Sequence, residues 1–384
     1  MTARRWAVAA VALGLAVMTA GSAQAQVVGP VRASARVSSY VDGMSTFIWS
    51  PGGRVGATVP GDVELEAGWK ADVISSASVD VVTAATPSIS ELRNEEHVHA
   101  RREKAVASID LDAGYTHSSE NDAYSHIFEA GAARGFDQDN WQVGLRGTVS
   151  FNRVGLRGEP TAEWRQLAAY GADATLTRLL GPRMLVELDY SFYYLDGYQA
   201  SPYRRVPIMA GTDLVGARWV DERVPGLRSR HAFTTRVRRW FGPHLTGAAS
   251  YRLYLDDWGV VAHTARLEEH VTIGHGLSGR VRQRATLQGG ASFYDQLYAE
   301  ETTYRTRDRR LSPHLDALVG GSLFWQISSG GVLGAVSAYA SGDLILFDYS
   351  KFDGPSATYT DEVRMEPIGT VFAGVVQLGV EVRP

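Results

Sequence analysis

Along most of the chain, apolar side chains recur at every second position. Residues 277–294 show the pattern most clearly: Leu277, Val281, Ala285, Leu287, Ala291 and Phe293 take odd positions, while Ser278, Arg280, Arg282, Arg284, Thr286, Gln288, Ser292 and Tyr294 take even ones. A period of two is that of a β-strand, whose successive side chains point to opposite faces. The run exceeds the roughly five or six residues of an average strand in a soluble sheet. It suits a strand tilted across a bilayer and continued beyond it, since crossing alone takes roughly 9–11 residues. Leu287 falls near the middle of the apolar face.

The same alternation returns along the chain. Arg32, Ser34, Arg36 and Ser38 oppose Ala33, Ala35, Val37 and Val41; a second apolar face, interrupted at Pro51-Gly52-Gly53, follows; then Val63, Leu65, Ala67, Trp69, Ala71 and Val73 oppose Glu64, Glu66, Lys70 and Asp72. Ala105, Ala107, Ile109, Leu111, Ala113 and Tyr115 share a face opposite Ser108, Asp110, Asp112 and Thr116. Glu187 and Asp189 lie on the polar side of residues 184–194, and Arg228, Arg230, Arg236 and Arg238 on that of residues 228–240. Residues 198–227, rich in turn formers, predict a large surface loop folded partly into the interior, with room for a short extra strand. About fifteen such segments can be read, and single-chain bacterial barrels have even strand numbers, so we expect a transmembrane antiparallel up-and-down β-barrel of 16 strands, with 14 and 18 open. Short and long connections alternate over the C-terminal half, which puts the turns at Gly181, Gly242, Gly274 and Ser328 on the periplasmic side.

Composition sharpens this picture at three points. Residues 1–25 join Arg4 and Arg5 to an apolar run and the small-residue site Ala23-Gln24-Ala25, the signature of a cleaved secretory leader for the Sec pathway; residues 26–384 then form one barrel domain. Without the leader the 384-residue chain keeps 359 residues and a formal charge of −6, with no basic tail, so nucleic acid is not a partner. Cysteine is absent, which removes disulfides, thiolate metal sites and a cysteine nucleophile. With 45% apolar residues and no apolar run of about 18 after the leader, a closed barrel is the remaining way into a membrane.

The stretch Asp72-Val73-Ile74-Ser75, with residues 77–86 (ASVDVVTAAT) and Glu91-x-Arg93 after it, resembles an uncharacterised family of proteobacterial outer-membrane β-barrel proteins. The resemblance runs from about Tyr40 to the C-terminus and is again specific at residues 251–263, YRLYLDDWGVVAH. It implies a barrel fold and an outer-membrane location and carries no activity.

Turning polar faces inward makes Glu64, Glu66, Asp72, Asp110, Asp112, Glu187, Asp189, Arg228, Arg230, Arg236, Arg238, Arg280, Arg282 and Arg284 the candidate pore-lining residues. Carboxylates from early strands facing arginines from later ones would set up a transverse field favouring polar solutes. The competing expectation is that these charges pair with one another and fill the interior. His97 and His99 have H-x-H spacing but no third ligand, so no metal is expected. There is no G-x-S-x-G elbow, phosphate loop or dinucleotide fingerprint, and no cofactor is expected. Trp49, Trp69, Trp141, Trp164, Trp240 and Trp325 fall near strand ends or on apolar faces, as in an interfacial girdle. The chain ends Val382-Arg383-Pro384, without the terminal aromatic usual in this class. We therefore expect a non-enzymatic channel for polar solutes in contact with outer-membrane lipid. Two other readings stand beside it: the barrel of a composite export translocon, passing a polymer such as a polysaccharide from a periplasmic partner, and a barrel-embedded enzyme.

Overall fold

The computed structural model describes residues 29, 31–44, 46–76, 89–208, 217–330, 334–355 and 365–383; the leader and residues 77–86 of the family-like stretch lie outside them. The strands are β1 (Val31–Asp42), β2 (Thr46–Val59), β3 (Val63–Ser76), β4 (Ile89–Val106), β5 (Ile109–Ser119), β6 (Ala123–Phe136), β7 (Trp141–Val154), β8 (Arg165–Leu179) and β9 (Met184–Gly197). Two short strands follow, β10 (Arg205–Ile208) and β11 (Arg218–Asp221). The chain continues with β12 (Leu227–Gly242), β13 (Leu245–Asp256), β14 (Val261–Gly274), β15 (Leu277–Gln288), β16 (His314–Ser329), β17 (Ala335–Pro355) and β18 (Met365–Arg383). All but β10 and β11 close into a 16-strand antiparallel barrel. Each strand pairs with its neighbour in sequence except at two joints: β9 meets β12, and β1 meets β18 at the seam, where Ala33 faces Val382.

The register carries one parity around the cylinder. Glu64 faces Arg101, which faces Asp112, which faces Gly131 and then Arg146; on the far side Arg236 faces Ser250, Arg266 and Arg284 in turn. On the opposite parity large apolar side chains lie open, with Leu145 61%, Val319 61%, Leu287 59% and Leu344 58% exposed. Soluble monomers rarely show contiguous apolar patches beyond a few hundred Å². A belt of this kind around a sheet without edges is satisfied by lipid. No helix among the described residues is long and apolar enough to cross a membrane. Polar atoms on the belt satisfy one another: the Tyr115, Tyr190 and Tyr251 hydroxyls pair with Nδ1 of His126, His231 and His263 at 2.8, 2.9 and 2.6 Å.

Four elements differ from the sequence reading. The strand it misses is β4, whose outward positions include Asn94, Glu96 and Arg102 beside Leu92 and Val98, too few apolar residues to show a period. Residues 105 and 107 are not part of β5, because Ala107 and Ser108, at φ 50° and 63°, form the two-residue turn joining β4 to β5. Positive φ at both central positions is the type I′ geometry, for which Asn-Gly is the expected signal. Strand β2 runs straight through Pro51-Gly52-Gly53; Pro51 faces Val37, and the pairing with β3 passes from Trp49 to Gly52 without using the missing N–H. Strand β15 stops at Gln288, which puts Leu287 beside the strand end rather than at mid-span.

The buried apolar clusters lie at the long-loop end. Met44, Tyr349 and Val371 pack with Tyr294 and Phe347, while Trp258, Val260 and Ala291 pack with Val224, Tyr254, Phe293, Tyr294 and Leu311. Residues 198–208, 217–226 and 289–313 therefore fold as a cap rather than as free loops. Ala291 and Phe293 belong to this cap instead of the lipid face.

Candidate functional site

All fourteen candidate side chains stand on the inward parity of their strands. Most meet an opposite charge on the same strand, on the next one or on the one beyond it. Glu64 pairs with Arg32 at 3.2 Å, Glu66 lies between Arg54 at 3.6 Å and His97 at 3.5 Å, and Lys70 sits 3.0 Å from Asp72. Arg101 reaches Asp110 at 3.7 Å, and Arg146 grips Asp112 at 2.5 Å and Glu129 at 3.2 Å. Among later strands Arg236 pairs with Glu187, Arg228 with Asp256, Arg282 with Asp343 at 2.5 Å and Arg284 with Asp316 at 2.9 Å. Asp189 accepts a hydrogen bond from Thr175 at 2.9 Å. The expected transverse field between an acidic and a basic wall does not survive this arrangement: each wall carries its own partners, because a charge held in a low-dielectric shell must be paired or solvated. The partners Arg54 and Arg101 escaped the sequence reading because they sit beside the Pro-Gly-Gly step or on the unrecognised β4.

Close approach of the chains makes room for these pairs. A Cβ on Gly320 would stand 1.7 Å from Asp343 Oδ1, so only glycine lets that carboxylate lie flat beneath Arg282, which holds it through Nε and Nη2 and donates to Ser322 Oγ at 2.9 Å.

Four inward arginines of β12, β13 and β15 are left over. Arg230, Arg238, Arg252 and Arg280 have no carboxylate at ion-pair distance among the described residues. Arg252 lies 5.5 Å from the Tyr254 ring and Arg280 5.5 Å from that of Phe324, and the buried Nε atoms of Arg230 and Arg280 have no hydrogen-bond partner. Arg238 and Arg280 line a cavity of about 480 Å³ at the short-turn end with Trp240, Glu268 and His270. Arg230 and Arg252 line one of about 650 Å³ beneath the cap, with Arg284, Asp308, Arg310 and Asp316. Trp240 thus faces inward and Trp164 is buried under the β7–β8 connection, whereas Trp49, Trp69, Trp141 and Trp325 keep the outward parity of a girdle.

The cap is built on charge. Arg204 donates to Glu222 at 3.0 Å and lies 3.2 Å from Asp308; Glu222 also accepts from Thr306 Oγ1 at 2.5 Å and from the Ser201 N–H at 2.6 Å. β10 and β11 pair as a short ribbon, bridged to the other loop at Ile208 with Tyr298 and at Arg223 with Arg305. The cap is anchored on separate parts of the rim, through Tyr203 to Asp122 at 2.5 Å and through Arg309 over Tyr349 at 5.9 Å. Burial pushes the Asp308 carboxyl up, but hydrogen bonds from Arg310 and the Arg204 charge outweigh it and hold it at about 2. At Glu120, just past β5, burial prevails over Arg93 3.5 Å away and raises the carboxyl above its usual range.

His97 and His99 do share the inward face of β4, beside Glu66 and Asp112. Among the described residues no group of three His, Asp or Glu side chains is placed to hold a metal ion, and no serine hydroxyl bonds a histidine ring.

A closed sheet with an apolar outer belt and a charged interior is the architecture of the outer-membrane β-barrels. Within that class, the chain belongs to the family described as "Protein of unknown function (DUF3570)", whose model matches residues 52–348. No curated protein matches the sequence. Among solved structures the barrel is similar to one titled "Bacterial polysaccharide outer membrane secretin", with a TM-score of 0.51 and 10% identity, covering 92% of this chain and 98% of that one. OprD from Pseudomonas aeruginosa gives a TM-score of 0.47 at 10% identity over 94% of this chain and 98% of that one. At such identities the likeness concerns the fold.

Proposed function

We propose that the protein is a channel of the Gram-negative outer membrane, exported through the Sec pathway with residues 1–25 removed, and that it passes polar solutes along the barrel interior. The fourteen inward side chains named above line that path. The observation that supports this best is the run of inward charge from the short-turn mouth to the cap, on strands whose outward faces carry the apolar belt. Paired charge alone can also fill a closed interior, so the part of this observation that favours a path is the cavity at each end of the charged run. The reading assigns the protein transport rather than catalysis. Its test is conductance of the refolded protein in planar bilayers: discrete, solute-blockable channels support it, and a bilayer that stays silent with correctly folded, heat-modifiable protein overturns it.

A second reading is the barrel of an export apparatus that passes a polysaccharide received from a periplasmic partner. The cavity at the short-turn mouth favours it, because Trp240 beside Arg238, Arg280 and His270 offers a stacking face together with charge where such a polymer would enter. Deleting the gene would then strand polymer in the periplasm, whereas a solute channel would leave polymer export unchanged.

A further inference from the structure

We propose that the interior carries an axial track for multivalent oxyanions, solutes bearing several carboxylate or phosphate groups, formed by four clustered arginines of β12, β13 and β15 that have no counter-charge among the described residues. The inference rests on the channel reading for the transport it implies, but not for the binding.

The carboxylates that could have neutralised Arg230, Arg238, Arg252 and Arg280 are committed elsewhere: Asp256 to Arg228, Glu187 to Arg236, Glu268 to Arg266, Asp316 to Arg284 and Asp343 to Arg282. Asp308 is held by Arg204 and Arg310, and Asp189 is engaged by Thr175. Elsewhere in the interior most arginines meet a carboxylate, as Arg146 does with two; the exceptions among the described residues, Arg36 on β1 and Arg165 against the Tyr198 ring at the start of β8, stand singly. The cluster of four on β12, β13 and β15 is therefore a local feature of the wall, not an effect of net charge, which is negative for the chain as a whole.

The four are spread along the axis. Arg238 and Arg280 stand at the short-turn mouth, Arg230 and Arg252 beneath the cap, and the row Arg236, Arg266 and Arg284 bridges them in the sheet. Each pair lines one cavity, so two long guanidinium side chains from separate strand positions face the same enclosed space, and a fork of N–H donors suits carboxylate and phosphate groups better than it suits chloride. Unpaired like charges held close together repel and draw anions into the wall. Stacking of Arg252 and Arg280 on Tyr254 and Phe324 fixes their stems and leaves the forks free to meet a moving ligand.

The test uses the full barrel in detergent and in bilayers, comparing wild type with the fourfold variant Arg230→Gln, Arg238→Gln, Arg252→Gln and Arg280→Gln. Calorimetric titration with citrate and with pyrophosphate should show binding to the wild type that weakens at least about tenfold in the variant, since several charge-assisted contacts are lost. The relative response of the two probes tells carboxylate from phosphate preference. In bilayers the chloride-to-potassium permeability ratio from reversal potentials should fall at least about threefold. If the variant misfolds, the pairwise changes Arg230→Gln with Arg252→Gln, and Arg238→Gln with Arg280→Gln, give the same readouts in smaller steps. Equal binding of both probes by folded wild type and variant, or binding by neither, overturns the track. Probe binding that depends on the arginines in a protein that never conducts overturns the channel and leaves the track standing.

Discussion

At the scale of single residues, position along a strand decides what a substitution costs. Leu323, 53% exposed on the outward face of β16, lies near the middle of a 16-residue strand, while Leu287 is the last residue but one of β15. An arginine on the lipid face costs about 2–4 kcal/mol at the midplane and about 0–1 near the interface. Leu323→Arg should therefore lower folding stability in lipid by about 2–4 kcal/mol and Leu287→Arg by under about 1 kcal/mol, measured by denaturant titration in vesicles; equal losses would mean the belt sits elsewhere along the strands. The β4–β5 turn offers the opposite sign. Ala107 and Ser108 hold positive φ without being glycine, a strain of about 1 kcal/mol each, so Ala107→Asn with Ser108→Gly should stabilise the barrel by about 1–2 kcal/mol in the same titration. Inward or outward was legible for each of the fourteen candidates, because a period of two leaves a strand no other way to turn. Which of them are paired was not legible, because a partner such as Arg54 for Glu66 is chosen by register across strands, and register is a property of turns and closure.

Among the elements, the cap is where order depends on charge. Asp308 titrates at about 2 instead of its ordinary 3.8, so its contribution is present in full above about 4 and is lost as the pH falls toward 2. Trp258, packed edge-on against Phe293 at 5.2 Å, reports on the cap: its fluorescence should change between pH 4 and 2 in the wild type, and Asp308→Asn should remove that step. An unchanged step in the variant would assign the transition to other carboxylates. Removing residues 296–304, which include the Tyr298 hydroxyl that donates to the Phe293 carbonyl at 2.7 Å, should open the mouth and raise single-channel conductance several-fold; conductance equal to wild type would show that the cap does not limit the path. Strands with a full apolar face were readable from sequence. β4 was not, since its outward face mixes Glu96 and Arg102 with Leu92 and Val98, and the cap was visible only as turn-rich sequence because loops packed on one another have no period.

For the molecule as a whole, closure is the feature that composition foretold most directly: an apolar chain with no crossing helix needs a sheet without edges. The seam between β1 and β18 has a further consequence for folding. All other neighbours except β9 and β12 are linked by a single connection, so their pairing is local in the chain, whereas Ala33 with Val382 joins opposite ends. Loop-closure entropy grows only as the logarithm of length, so the seam is thermodynamically cheap, yet it cannot form until both terminal strands are in place. The cylinder itself does not record where the chain begins. A circular permutant that joins residue 383 to residue 31 and starts instead at the turn between β16 and β17 would have the same sheet with a different last contact, and its refolding rate would measure how much of the assembly barrier is the act of closing.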